Sequence, residues 1–237
     1  MSNTPKKNVT TRRDFLKTST VVSASGLVLA NAMPILAQTG TASNSQKPTV
    51  QGTETEKNLL KAFAGESQAR NRYTYFAEQA RKDGFQQIAG IFEETADHER
   101  EHAKRFFSYL KGGKVEILAP YPAGIVGDTE ENLLAAAEGE HEEWSLLYPE
   151  FAKIAISEGF PEVGKLFQNI CVAESMHEKR YRALLKNIEE GLVFERPKKV
   201  IWQCRNCGYI AEGTEPHASC PACAFPQSYF QIFPENW

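Results

Sequence analysis

Two tetrads, Glu99-Arg100-Glu101-His102 and Glu174-Ser175-Met176-His177, each set a carboxylate and an imidazole three residues apart. On a helix that spacing puts both groups on one face, where they can bind a cation together. Glu66 stands alone in another stretch, and Glu140 with Glu143 repeats the spacing with two carboxylates. Carboxylates and imidazoles without thiolates suit iron or manganese. A second donor set lies near the C-terminus, where Cys204-x-x-Cys207 and Cys220-x-x-Cys223 are separated by twelve residues. Four thiolates at that spacing make a tetrahedral site for Zn²⁺ or a single Fe. Cys171 has no such companion and reads as a small core residue.

Helices must position the carboxylates. Thr53-Glu54-Thr55-Glu56 offers an N-cap and early negative charge, and apolar residues recur at helical spacing to about Arg81. Asp83-Gly84 breaks that pattern, and a second helix runs from about Phe85 to Leu110, stopping at Gly112-Gly113. Residues 114–128 form a longer connection. Asp128 or Thr129 caps a third helix to about Ser157, with Pro149 as its expected kink, and a fourth runs from Pro161 to about Glu190. Helix, tight turn, helix, long crossover, then the same again is the plan of a ferritin-like bundle.

An internal repeat supports this pairing. Gly84, Phe85, Phe92, Glu99, His102 and Arg105 recur 75 positions on, as do Tyr73 and Phe76, whereas Gly65-Glu66 returns after 74 as Gly139-Glu140. Glu66 and Glu99 lie 17 and 16 residues from Asp83, and Glu143 and Glu174 lie 15 and 16 from Glu158. At ~1.5 Å per residue all four sit roughly 25 Å from their turns, at one level of the bundle. Buried without partners, five glutamates there would repel each other and lose hydration, and a pair of cations removes that cost. By helix angle Glu93, Glu94, Glu101, Glu142 and Glu178 face solvent, and His98 and His141 lie off the ligand face. Tyr73 and Tyr148 follow Glu66 and Glu140 by about two turns; each packs in the core or donates a hydrogen bond to the cluster.

The 237 residues are 41% hydrophobic and 24% charged, which excludes collagen, wholesale disorder and a polytopic membrane protein. A net charge of −3 gives no sign of nucleic acid as a partner. Residues 1–37 carry five basic side chains and one acid, then a short apolar stretch and small residues, which together read as an export signal. Thr11-Arg12-Arg13-Asp14-Phe15-Leu16-Lys17 resembles the twin-arginine signal, which implies a periplasmic or otherwise exported protein, with the segment cleaved or kept as an anchor. A polar linker follows over 38–52.

From Thr53 to Trp237 the chain resembles rubrerythrin. The stretch from Phe63 to Tyr73 is close to that family's first-helix motif, and the two Glu-x-x-His tetrads match its sites. Cys204-Arg205-Asn206-Cys207-Gly208-Tyr209 with Cys220-Pro221-Ala222-Cys223 looks like rubredoxin, although Ala224 stands where simple rubredoxins usually carry glycine. The resemblance implies a mainly α protein, a ferritin-like four-helix bundle over 53–192 followed by a small rubredoxin-like metal-bound β domain over 198–237. It implies two Fe in the bundle and one Fe on Cys204, Cys207, Cys220 and Cys223. Glu99 and Glu174 would bridge the irons, Glu66, Glu140 and His177 would be terminal ligands, and Glu143 would exchange with His102 as the oxidation state changes. The implied activity is a peroxidase that protects against oxidative stress by reducing hydrogen peroxide to water. Electrons would come from a rubredoxin or a reductase through the thiolate iron, in a homodimer or higher homo-oligomer. A ferroxidase or iron-storage protein is the alternative. No dinucleotide-binding glycine motif is present, so any nicotinamide oxidation belongs to a partner.

Overall fold

The computed structural model describes residues 49–236, so the expected signal and most of the expected linker lie outside the described residues. Helix α1 (Glu54–Lys82) opens at Thr53, whose side chain accepts the Glu56 N–H. Asp83-Gly84 turns it into α2 (Gln86–Phe107). Gly84 has φ +88°, a left-handed conformation that glycine adopts without a Cβ penalty, and Gly159 has the same φ in the second hairpin. The closing bonds also match: Phe85 N–H to Ala80 C=O and Phe160 N–H to Ala155 C=O, both 2.8 Å. Helix α2 ends three residues earlier than expected. Tyr109 and Leu110 donate only to Phe106 and Phe107, tightening the last turn ahead of the crossover.

The third helix is not one helix with a proline kink. Helix α3 (Thr129–Glu142), started by a capping box between Asp128 and Glu131, gives way to a π-helical segment, Glu143–Leu147, and then to α4 (Tyr148–Ser157). Pro149 has no N–H to offer the Ser145 carbonyl. The wider turn begins before it, with Tyr148 N–H bonded to Glu143 C=O. This segment also explains the uneven repeat. Seven residues separate Glu66 from Tyr73 but eight separate Glu140 from Tyr148, and the additional residue is absorbed by the π turn.

Helix α5 (Pro161–Glu189) completes the bundle, packing on α3 and α4 as α2 packs on α1. The hairpins are also tied at their ends. Asp83 accepts from Thr129 N–H at 3.0 Å and from its hydroxyl at 2.6 Å, so the first turn caps α3. Glu158, its counterpart 75 residues on, accepts from Thr55 N–H at 2.8 Å, the Thr55 hydroxyl at 2.6 Å and Glu54 N–H at 3.1 Å, capping α1. A carboxylate at a helix N-terminus answers both the free N–H groups and the dipole. Two aromatic-rich cores form, one around Tyr73, Phe76, Phe92 and Tyr181, the other around Phe106, Tyr148, Phe160 and Phe167. The glutamate layer lies along the helices between them.

In the C-terminal region β1 (Val200–Cys204) is central, flanked antiparallel by β2 (Ile210–Gly213) and β3 (Phe230–Ile232). Trp202 is fully buried and donates through Nε1 to the Gly213 carbonyl at 3.0 Å. This small domain rests on the bundle. A Cβ on Gly90 of α2 would run into the Arg205 guanidinium, and in the connection between α5 and β1 the Phe194 ring stacks on Phe85 at 6.3 Å. Among the described residues no helix is long and apolar enough to cross a membrane.

Candidate metal centres

Four helices deliver the acidic and imidazole side chains to one buried layer. Glu66 comes from α1, Glu99 and His102 from α2, Glu140 from α3, and Glu174 and His177 from α5. Their donor atoms form two clusters, Glu66–Glu99–His102–Glu174 and Glu99–Glu140–Glu174–His177, with ligand atoms in each within 4.8 Å of one another. Glu99 and Glu174 belong to both. His102 Nδ1 lies 2.9 Å from Glu174 and 3.0 Å from Glu99. His177 Nδ1 lies 2.7 Å from Glu174, 3.2 Å from Glu99 and 3.5 Å from Glu140. Glu143, at the start of the π segment, is half-buried and belongs to neither cluster.

These atoms crowd together without pairing. Glu66 Oε2, Glu99 Oε1, Glu140 Oε2, both Glu174 oxygens and His177 Nδ1 are buried with no aligned hydrogen bond. Six orphaned donors around a shared space are the signature of a site shaped for cations, and the oxygen-and-nitrogen donor set fits an iron pair.

Without metal, protons must carry the charge balance. Burial, with repulsion from Glu174, raises Glu66 well above the usual carboxylate range. Glu143 is raised in the same way by burial and Glu66, and Glu140 is pushed up to about 8 by burial and Glu99. Glu99 moves oppositely: burial opposes its ionisation, but the adjacent His102 and His177 imidazoles take it to about 2. Burial likewise disfavours the charged His177, yet Glu140, Glu174 and Glu99 raise it to about 12, and His102 is raised by Glu174, Glu66 and Glu99.

The two tyrosines do more than fill the core. Tyr73 donates to Glu140 Oε1 at 2.5 Å and Tyr148 to Glu66 Oε1 at 2.6 Å, each reaching across to the other hairpin. Burial raises both phenols well above their usual range, so they stay protonated donors. His98, off the ligand face, stacks on the His177 ring at 5.3 Å with its Nδ1 3.2 Å from His177 Nε2. That contact engages His177 Nε2 and leaves Nδ1 on the carboxylate side. Glu178 departs from the solvated position expected of it. It is 13% exposed and accepts from Trp144 Nε1 and Arg182 Nε, both at 2.6 Å, tying the π segment to α5. Tyr181 was not singled out by the sequence, although it follows His177 by one turn. It is fully buried against Tyr73, ring centroids 5.5 Å apart.

The four cysteines of the small domain are free thiols with all Sγ atoms within 4.8 Å. Cys204 and Cys223 are 3.8 Å apart, and Cys207 and Cys220 are 3.6 Å apart. A tetrahedron with ~2.3 Å metal–sulfur bonds has edges of about 3.8 Å, so the thiols fit a metal without rearrangement. The two knuckles mirror each other, with Gly208 N–H on Cys204 C=O and Ala224 N–H on Cys220 C=O, both 2.8 Å. Donation from the Phe225 N–H, then from Asn206, lowers the Cys223 thiol to about 6, favouring thiolate. Cys171 is half-buried at the edge of the second aromatic core.

Comparison with known proteins places this geometry. A family model described as rubrerythrin matches residues 57–185, and one described as the rubrerythrin rubredoxin-like domain matches 202–231. The rubrerythrin of Porphyromonas gingivalis is 57% identical over 188 residues, covering 79% of this chain and 94% of that protein. The rubrerythrin of Nitratidesulfovibrio vulgaris is 56% identical over 188 residues, covering 79% and 98%. Among solved structures, a fully reduced, all-ferrous nigerythrin aligns with TM-score 0.51 and 32% identity, covering 85% of this chain and all of that one.

Proposed function

The chain belongs to the rubrerythrin family, with a di-iron site in its bundle and one iron in its rubredoxin-like domain, and from that premise we propose that it reduces hydrogen peroxide to water. The observation that carries this reading is the pair of clusters sharing Glu99 and Glu174, on the same chain as a four-thiolate site. When bound, an iron pair would supply the two electrons that cleave the O–O bond, and Cys204, Cys207, Cys220 and Cys223 would hold an iron suited to one-electron exchange with a rubredoxin-type donor or a reductase.

The protein's own groups prepare that reaction. Glu99 and Glu174, common to both clusters, would hold both irons, Glu66 with His102 would hold one, and Glu140 with His177 the other. Tyr73 and Tyr148 hold the outer oxygens of Glu140 and Glu66, which fixes those carboxylates in orientation. The aromatic cores pack on either side of the layer and leave Glu66, Glu99, Glu140 and Glu174 at most 1% exposed. His102 and Glu143 would share one position: neutral imidazole would suit a reduced centre, and the anionic oxygen of Glu143 an oxidised one. His102 stands inside its cluster here and Glu143 outside.

Stopped-flow oxidation of the reduced protein tests the reading. Peroxide should oxidise the bundle site much faster than dioxygen does, with iron fixed at three per chain. Faster oxidation by dioxygen, with iron accumulating beyond three, would make the chain a ferroxidase or storage protein instead.

A further inference from the structure

Beside Glu143 lies a cavity of about 390 Å³ between α1, the π segment and the crossover. Hydrogen peroxide is about the size of two waters, and a water occupies ~30 Å³ of liquid, so the space is several times what that substrate needs. Much of the wall is apolar: Ala62, Leu147, Phe151, Pro120 and Pro122. Tyr148, whose hydroxyl holds Glu66, also lines it, so the cavity borders the carboxylate layer directly. Gly65 and Gly139, each preceding a cluster glutamate, leave the wall without side chains. A Cβ on Gly65 would lie 3.8 Å from Glu143 Oε1, and one on Gly139 would lie 3.5 Å from Arg72 Nη2. Arg72 also lines the wall, its guanidinium lying over the Tyr73 and Phe76 rings. Lys61, Gln68, Arg72, Glu142 and Glu143 supply polar groups to the same wall, and a cavity lined by both kinds of side chain is the usual form of a site for an amphiphilic small molecule.

We propose that this cavity admits organic hydroperoxides, ROOH, with the hydrocarbon group against Leu147, Phe151 and the prolines and the O–O group toward Glu143. The proposal rests on the peroxide-reducing reading and widens its substrate class. The O–O bond breaks with two protons and the two electrons of the reduced iron pair, giving ROH and H₂O. The external one-electron donor restores the electrons through the thiolate iron.

Cumene hydroperoxide and hydrogen peroxide are compared as substrates of the full iron-loaded protein and of its Ala119→Phe variant. Ala119 lines the cavity from the crossover and is not one of the cluster residues. Binding of the product alcohol, 2-phenylpropan-2-ol, to the same proteins is followed by calorimetry. The wild type should reduce both peroxides and bind the alcohol. Ala119→Phe should lose alcohol binding and at least about tenfold in kcat/KM for cumene hydroperoxide, within the range that pocket-filling contacts supply, with hydrogen peroxide turnover unchanged. Reduction of hydrogen peroxide alone, or no alcohol binding by the wild type, would overturn the proposal and leave the hydrogen peroxide reading standing. Equal loss for both peroxides in Ala119→Phe would also overturn it, since the cavity would not then discriminate. Failure of the wild type with both peroxides would remove the proposal and the reading together.

Discussion

Glu140 shows at the scale of one residue what the metal replaces. In the metal-free protein its carboxyl, raised to about 8 by burial and Glu99, holds a proton that the unfolded chain releases near its ordinary value. A raised folded value means stability that is fully present below the unfolded pKa and is lost as pH rises through the folded one. His177, raised to about 12, has the same sign, while Glu99, lowered to about 2, contributes stability lost only as pH falls toward 2. Metal-free protein should therefore melt at a lower temperature at pH 9 than at pH 6, by on the order of a few kcal/mol in unfolding free energy. Calorimetry at the two pH values checks this; equal melting would mean the cluster is not proton-loaded. Ala224 carries a second prediction. It has φ +60°, the one positive φ outside glycine among the described residues. A left-handed alanine costs about 1–2 kcal/mol, partly offset by the freedom glycine would add to the unfolded chain. Ala224→Gly should stabilise the small domain by about 0.5–1 kcal/mol, read from thermal bleaching of the thiolate chromophore. The ligand candidates were legible because type and spacing alone mark them. The tyrosine bonds and the His98–His177 stack were not, because they depend on rotamers and on which helix faces which.

The helices explain why the site is so regular. Repeat and turn arithmetic placed Glu66, Glu99, Glu143 and Glu174 at one level; the structure brings three of them together with Glu140, while Glu143, at the start of the π segment, belongs to neither cluster. Two features needed coordinates. One is the π segment, whose only trace in the sequence is the repeat offset changing from 74 to 75 between Glu140 and Tyr148. The other is the reciprocal capping by Asp83 and Glu158, visible beforehand only as acids in two tight turns. Turn acids are common, and nothing local says which distant helix they cap. Asp83→Ala should lower stability by about 1–2 kcal/mol, in the range of a lost N-cap, and Glu158→Ala should act in the same direction. The two sites share no partner, so the double variant should show the sum of the single effects in denaturant melts. Single variants with unchanged midpoints would show that the turns join the hairpins without stabilising them.

At the scale of the whole molecule, one chain carries two metal centres with no ligand in common. The bundle cluster draws on helices and the thiolate cluster on two knuckles of the small sheet, whose Arg205 lies against α2 at Gly90. The central claim is that peroxide reacts in the bundle and that the thiolate iron exists to refill it. Cys207→Ser tests this most directly, because serine is a poor, hard ligand for that iron and touches nothing in the bundle. Chemically reduced Cys207→Ser protein, freed of reductant, should still consume about one peroxide per bundle site in a single turnover, while steady turnover from a rubredoxin-type donor collapses by at least about tenfold. Steady turnover near that of the wild type would contradict the account, leaving the small domain a structural appendage.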